Sequence, residues 1–161
     1  MFGFRSNHRK REEVQRILLA RTNRAQLGAI GTNNQRGGTR AGLTEIVWAT
    51  PCVDHRNADY VRVMPAVTKD ISAQGISFIC DVDVTEPCVV IGLKQDNGDR
   101  RFLSCTVKHC TPLDDGFFHV GLLVDQVIEV NQDEEDTMRR VIDQRCAASK
   151  NQTITHVRVV G

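Results

Sequence analysis

The stretch that decides the fold is Cys88-Val-Val-Ile-Gly-Leu-Lys94, followed by Gln95-Asp-Asn-Gly-Asp99 and then by Arg101-Phe-Leu-Ser-Cys-Thr-Val-Lys-His109. Two β-rich runs flank a polar turn, and the Asn97-Gly98 pair within the turn is a strong short-range signal for a hairpin. Alternate residues from Leu103 to His109 share one face of the second run. The stretch therefore predicts an antiparallel hairpin that the neighbouring strands extend.

Other short runs along the chain have the same strand-like character. Alternation predicts strands over residues 45–50, ended by Pro51, over 58–68 and over 76–80. The run from Phe117 to Val124 is apolar almost throughout, which is typical of a strand buried on both sides. Six short strands separated by turns favour a mainly β fold, a six-stranded antiparallel β-barrel, over an open sheet. We expect the lone tryptophan, Trp48, to lie in the core.

Helical patterns stand on both sides of the strand region. Lys10 to about Leu27 contains no proline or glycine and places Val14, Ile17 and Leu18 on one face, which predicts an N-terminal helical arm. Its apolar stripe is narrow, so the arm either packs lightly on the barrel or pairs with a second copy in a homodimer. Glycines between 28 and 38 predict a flexible linker.

The C-terminal helix has a clear start. Asn131 and Glu134 form a capping-box pattern, and acids fill the first turn. We expect this helix to cover one opening or side of the barrel, with an inward face made of Met138, Val141, Ile142, Arg145 and Cys146. Residues 153–160 predict either a short strand or a disordered tail. The chain thus divides into a basic helical arm and linker (1–34), a barrel (35–130) and a C-terminal helix and tail (131–161).

Charge and composition narrow the function. Residues 1–40 carry nine Lys or Arg and two acids, a formal charge of +7, on a body of −6, and such a basic arm suggests an anionic partner. No apolar run is long enough for membrane insertion and no signal peptide is apparent, so we expect a cytoplasmic protein. The six cysteines include no C-x-x-C pair, which favours reduced thiols over a disulfide framework or a metal site. No catalytic motif is present, so we expect neither an enzyme nor a cofactor.

Two short motifs carry candidate chemistry. The first is Arg36-Gly-Gly-Thr-Arg40, which lies just before the first strand, and the second is Asp70-Ile-Ser72-Ala-Gln-Gly75, which lies after the second strand. Either motif alone is weak. Asp and Ser satisfy backbone N–H groups in ordinary turns, and a glycine such as Gly75 supplies a positive φ there.

Together, and in this order, the two motifs resemble those of the PilZ domain family, and the resemblance covers about residues 35–128. It implies a PilZ-type β-barrel that binds cyclic di-GMP, a bacterial second messenger, through these motifs. Arg36 and Arg40 would contact phosphate or guanine as planar guanidinium groups. Asp70 would accept from the guanine edge, Ser72 would add a hydroxyl contact, and Gly75 would let the backbone pass close to the ligand. Binding would order the glycine-softened Arg36–Arg40 segment, shift the arm and so signal to a partner protein.

Several alternatives stay open. A PilZ-like adaptor that binds a protein and no nucleotide is the main alternative, although such members usually lack the motif pair. A nucleic-acid partner for the arm is not expected, because the arm has few aromatics and the body is acidic. His109 either stacks on a guanine or is an ordinary strand residue. Gln35, directly before the first motif, leaves open whether one ligand or an intercalated dimer binds.

Overall fold

A computed structural model describes residue 9 and residues 12–21, 41–42 and 44–159; for 41–42 and 149–159 it describes the backbone alone. Helix α1 comprises residues 12–21. The strands are β1 (Ala41–Gly42), β2 (Ile46–Cys52), β3 (Met64–Ile71), β4 (Gly75–Cys80), β5 (Cys88–Lys94), β6 (Arg100–Pro112) and β7 (Phe118–Ile128), and helix α2 comprises Gln132–Val159.

Six of the strands close into an antiparallel barrel. Their order is β3-β2-β5-β6-β7-β4, and the additional pairing of β3 with β4 closes the ring. The two-residue strand β1 lies outside this ring and pairs with the end of β3, Ala41 opposite Ile71 and Gly42 opposite Asp70. The predicted six-stranded antiparallel barrel with a helix at each end is therefore confirmed.

The hairpin that decides the fold forms as its sequence predicts. Strand β5 has the predicted bounds, and β6 is longer than predicted at its C-terminal end. Between them the Gln95 N–H donates to the Asp99 carbonyl at 2.7 Å. Gly98 adopts a φ of 91°, a conformation in which a side chain would be strained, and this explains the glycine of the Asn-Gly pair.

The strand predicted over residues 58–68 is wrong in its first half. Two 3-10 turns, His55–Asn57 and Tyr60–Arg62, precede β3. The carboxylate of Asp54 accepts from the Arg56 N–H, and that of Asp59 accepts from the Val61 N–H. These side-chain contacts satisfy backbone donors locally, so the chain turns before it enters the sheet. Strand β2 also continues past its predicted end and includes Pro51.

Helix α1 packs more deeply than its narrow apolar stripe predicts. Val14 and Leu18 are buried in the same cluster as the inward residues of the barrel, so the helix packs against the barrel interior. Arg21 is buried beside them; its guanidinium donates to the carboxylate of Glu45 and to the carbonyl of Lys94. A third contact is the ion pair between Arg101 and Glu13 at 3.3 Å.

Helix α2 covers one outer side of the barrel. Met138 and Ile142 pack on an outward-facing cluster from β2, β5 and β6 that includes Trp48 and Phe102. Trp48 is buried as expected, although in this outer cluster. Arg145 and Cys146 are exposed and not part of the inward face, because the helix has passed the edge of that cluster. The strand or tail predicted over residues 153–160 is also wrong, since α2 continues through Val159.

The start of α2 is a capping box, as predicted. The Asn131 side chain accepts from the Glu134 N–H at 2.9 Å, and the Glu134 carboxylate accepts from the Asn131 N–H at 3.1 Å. We expect Asn131→Ala to lower the free energy of unfolding by about 1 kcal/mol, because one helix N–H loses its acceptor. Urea titration followed by circular dichroism measures this. Asn131→Asp is the control and should stay within about 0.5 kcal/mol of the wild type.

Candidate functional site

The turn between β3 and β4 is built by the second motif. The Ser72 hydroxyl accepts from the N–H of Gly75 at 3.2 Å and from that of Gln74 at 3.4 Å. The Ser72 N–H in turn donates to the Gly75 carbonyl at 2.9 Å. Asp70 lies two residues before Ser72, and its N–H donates to the Ser77 hydroxyl at 3.2 Å. Ser72 therefore shapes this turn, and the Asp70 carboxylate beside it is only half-buried.

These residues border a cleft on the outside of the barrel, where β4 pairs with β7. The cleft has a volume of about 220 Å³ and brings the second motif together with basic side chains of β6 and β7. Its polar lining comprises Asp70, Ser72, Ser77, Lys108, His109 and His119, with Gly75 and Gly121 at its floor. The structure thus places Asp70, Ser72 and Gly75 in the lining of one cleft.

Both glycines of the cleft are required by close packing. A Cβ at Gly75 would lie 2.4 Å from the Leu122 carbonyl oxygen, and one at Gly121 would lie 2.0 Å from the imidazole of His109. Neither glycine has a positive φ, so the positive φ expected of Gly75 in a turn is wrong. Gly75 instead lets β4 and β7 approach, and Gly121 lets the His109 ring lie directly on β7.

Two histidines form the wall of the cleft opposite the turn. The rings of His109 and His119 meet edge to face, with centroids 5.3 Å apart and an interplanar angle of 62°. The Nε2 atom of His119 is buried and has no hydrogen-bond partner among the described residues. Burial lowers the pKa of His119, electrostatic interactions with Lys69 and His109 lower it further, and Asp70 partly opposes them. The lowered pKa favours the neutral imidazole of His119, whose Nε2 atom can make one hydrogen bond.

His119 and Lys108 were not among the predicted site residues. They reach the cleft because β6 and β7 pair with His109 opposite Gly121 and Thr111 opposite His119. A register shift between Val107 and His109 changes which side chains face outward. In β7, His119 and Gly121 alternate with the apolar residues Val120 and Leu122. This alternation is the one sequence signal that indicates an outward face of β7.

The first motif lies outside the described residues. Arg36 and Arg40 belong to the range 22–40, of which the structure gives no description, as do Gln35 and the predicted linker. The next residue along the chain is Ala41, and β1 pairs Ala41 with Ile71 and Gly42 with Asp70. The sequence that follows Arg40 is therefore held beside Asp70, at the edge of the cleft.

Two other features, a metal site and a membrane-spanning helix, are not found among the described residues. Within residues 9, 12–21, 41–42 and 44–159, no three His, Cys, Asp or Glu side chains converge as metal ligands. In the same part of the chain, no helix combines the length and the apolar character needed to span a membrane.

Comparison with known proteins gives little further information. No family model matches the chain, and no curated protein matches its sequence. Among solved structures, it is similar to the one described as the Bacillus subtilis inhibitor of motility (MotI/DgrA), with a TM-score of 0.40 and 12% sequence identity. The similarity covers 71% of this chain and 53% of that one, so the chain spans about half the length of that protein. The function must be inferred from the cleft itself.

Proposed function

We propose that this chain is a PilZ-like receptor that binds cyclic di-GMP in the cleft and passes the signal to a partner protein. One observation carries the proposal: Asp70 and Ser72 of the second motif meet Lys108, His109 and His119 around one cleft. At its edge lies the strand that begins directly after Arg40. The two motifs are separated by thirty residues of sequence, and the fold brings the neighbourhood of the first to the second.

The chemistry of the cleft suits this ligand. Cyclic di-GMP carries two guanines and two phosphates, so its receptor needs a carboxylate for the N1–H and N2–H₂ donors and cations for the phosphates. Asp70 supplies the carboxylate and Lys108 a cation, while Arg36 and Arg40 would add two guanidinium groups. The exposed ring of His109, which lies close against Gly121, offers a surface on which a base can stack.

The size of the cleft fits part of such a ligand. Small-molecule pockets commonly have about 300–1,000 Å³, whereas this cleft has about 220 Å³. We infer that one guanine enters the cleft and that the Arg36–Arg40 segment covers the rest of the dinucleotide. Binding would then fix this segment between α1 and β1. Because α1 is already packed on the barrel interior, the signal would pass through the segment and not through the detachment of α1.

The role that follows is that of a receptor and adaptor. It needs no catalytic group and no cofactor, and cyclic di-GMP would meet it in the bacterial cytoplasm. The response would pass to a separate protein or, through pairing of two copies, to a homodimer. We expect neither a nucleic-acid partner nor membrane insertion.

A second candidate function is a protein-binding adaptor that takes no nucleotide. The hydroxyl of Ser72 favours it, because that oxygen already accepts two backbone N–H groups of its own turn. Asp70 is also engaged in part, since the Ser77 hydroxyl lies 3.5 Å from its carboxylate. In this alternative the motif residues only build the turn, and the cleft would be a feature of a protein interface.

Isothermal titration calorimetry of the full chain separates the two functions. We expect cyclic di-GMP to bind at micromolar concentration and cyclic di-AMP to bind at least about tenfold more weakly. The reason is that adenine lacks the N1–H and N2–H₂ donors from which Asp70 would accept hydrogen bonds. Cyclic di-AMP is a matched control with the same charge and ring size. Absence of heat with cyclic di-GMP would contradict the receptor function and leave the adaptor.

A further inference from the structure

Two cysteines face each other across neighbouring strands on the side of the barrel that α2 covers. Cys52 ends β2 and Cys88 begins β5, and the register places them directly opposite each other. Opposed residues of an antiparallel pair have Cα atoms about 4.5–5.5 Å apart. A disulfide accepts Cα separations of about 4.4–6.8 Å. The Cα separation of this pair therefore lies within the range that a disulfide accepts.

The two thiols differ in access. Cys52 is only 4% exposed and packs in the outer cluster with Trp48 and Met138. Cys88 is half-buried at the margin of that cluster. An oxidant from solvent would therefore meet Cys88 first, and the sulfur of Cys52 would lie behind it.

The surroundings of Cys88 favour its thiolate. Cys88 lies opposite the Cys52 thiol in the strand register, and the Ser104 hydroxyl lies 4.0 Å from the Cys88 sulfur. The neighbouring Cys52 thiol lowers the pKa of Cys88 to about 7; burial opposes this, and Ser104 and the backbone of Cys105 reinforce it. The neighbouring Cys88 and burial raise the pKa of Cys52. A lowered pKa favours the nucleophilic thiolate form of Cys88.

The other described cysteines lack this arrangement. Cys80 donates to the Val82 carbonyl at 3.2 Å and Cys110 to the Asp83 carboxylate at 3.6 Å. These two cysteines lie on β4 and β6, which are not neighbours in the barrel. Cys105 is fully buried, and Cys146 is exposed on α2. Cys52 and Cys88 are thus the described pair in cross-strand register.

We propose that Cys52 and Cys88 are a thiol modification site, at which hydrogen peroxide converts them reversibly into a cross-strand disulfide. The Cys88 thiolate attacks one peroxide oxygen, the O–O bond breaks, and the hydroxide that leaves takes up a proton to give water. Cys88 is then a sulfenic acid. Cys52 loses its proton and attacks the Cys88 sulfur, the S–S bond forms, and the S–O bond breaks to release a second water. Two thiols and one peroxide thus give one disulfide and two waters.

The same geometry makes the bond reversible. Opposed side chains on neighbouring strands have Cβ atoms about 4.5–5.5 Å apart, whereas a disulfide prefers about 3.8 Å. The bond therefore draws the strands together under strain, and strained disulfides are more easily reduced. This site shares no residue with the cleft.

Mass spectrometry of the full chain tests the site. The protein is treated with hydrogen peroxide at about pH 7.5, a mildly alkaline pH that favours the thiolate, and free thiols are then blocked with N-ethylmaleimide before digestion. We expect a crosslinked peptide pair that contains Cys52 and Cys88, has lost two hydrogen atoms, and separates after treatment with dithiothreitol. Full alkylation of both cysteines after peroxide, or a disulfide that joins other cysteines, would overturn the proposal.

Single variants assign the two roles. In Cys52→Ser the attacking thiol is missing, so Cys88 should remain a sulfenic acid that dimedone labels. In Cys88→Ser the crosslink should be lost, and Cys52 should stay alkylable. Cys110→Ser is the matched control and should keep the crosslink, because its partner Asp83 lies elsewhere. Dimedone labelling of Cys52 in place of Cys88 would contradict the order of the two steps.

Discussion

Replacing Leu18 with alanine is expected to lower the free energy of unfolding by about 2–5 kcal/mol. Leu18 is 0% exposed and lies in the cluster that fills the barrel interior. Truncation removes apolar atoms from a packed site and leaves a cavity that the surrounding strands fill only in part. Urea titration followed by circular dichroism measures the change.

The adjacent residue provides the control for this substitution. Leu19 is 47% exposed on the same helix, so Leu19→Ala makes the same chemical change without opening a cavity. We expect it to alter stability by less than about 0.5 kcal/mol. Equal effects of the two substitutions would mean that α1 is not seated on the barrel, and the signal could then pass through movement of the whole arm.

Much of the barrel could be predicted because its signals are local. The hairpin depends on Asn97-Gly98 and on alternation in the flanking strands, and the start of α2 depends on Asn131 and Glu134, three residues apart. The depth of α1 could not be predicted, because it depends on distant partners. The Arg21 guanidinium donates to the Glu45 carboxylate and to the Lys94 carbonyl. A sequence pattern within the helix cannot predict contacts with residues so far along the chain.

The cleft was predictable on one side only. Asp70, Ser72 and Gly75 lie within one stretch of six residues, so a short sequence motif can predict all three. His119 enters the cleft through the register of β6 with β7, which includes the shift between Val107 and His109. The apolar run around His119 also predicted a strand buried on both sides, and that interpretation hid the outward face on which His119 lies.

Replacing Asp70 with alanine is expected to weaken cyclic di-GMP binding at least tenfold, about 1.4 kcal/mol. Asp70 is the carboxylate in the lining of the cleft, and we propose that it accepts hydrogen bonds from the N1–H and N2–H₂ donors of the guanine edge. Without it those donors would be buried against Ser77 and the imidazole wall without an equivalent acceptor, and an unmet buried donor costs about 1–3 kcal/mol. Calorimetry with the full chain measures the loss.

A charge-matched control separates recognition from general electrostatics. Asp81→Ala also removes one carboxylate, at the other end of β4 from the cleft, and should leave the affinity within about twofold of the wild type. The barrel should survive both changes, because the Ser77 hydroxyl still accepts from the backbone N–H of residue 70. If the wild type binds and Asp70→Ala binds equally well, the ligand lies outside this cleft. If the wild type does not bind, the receptor function itself is wrong, and the turn built by Asp70 and Ser72 has a purely structural role.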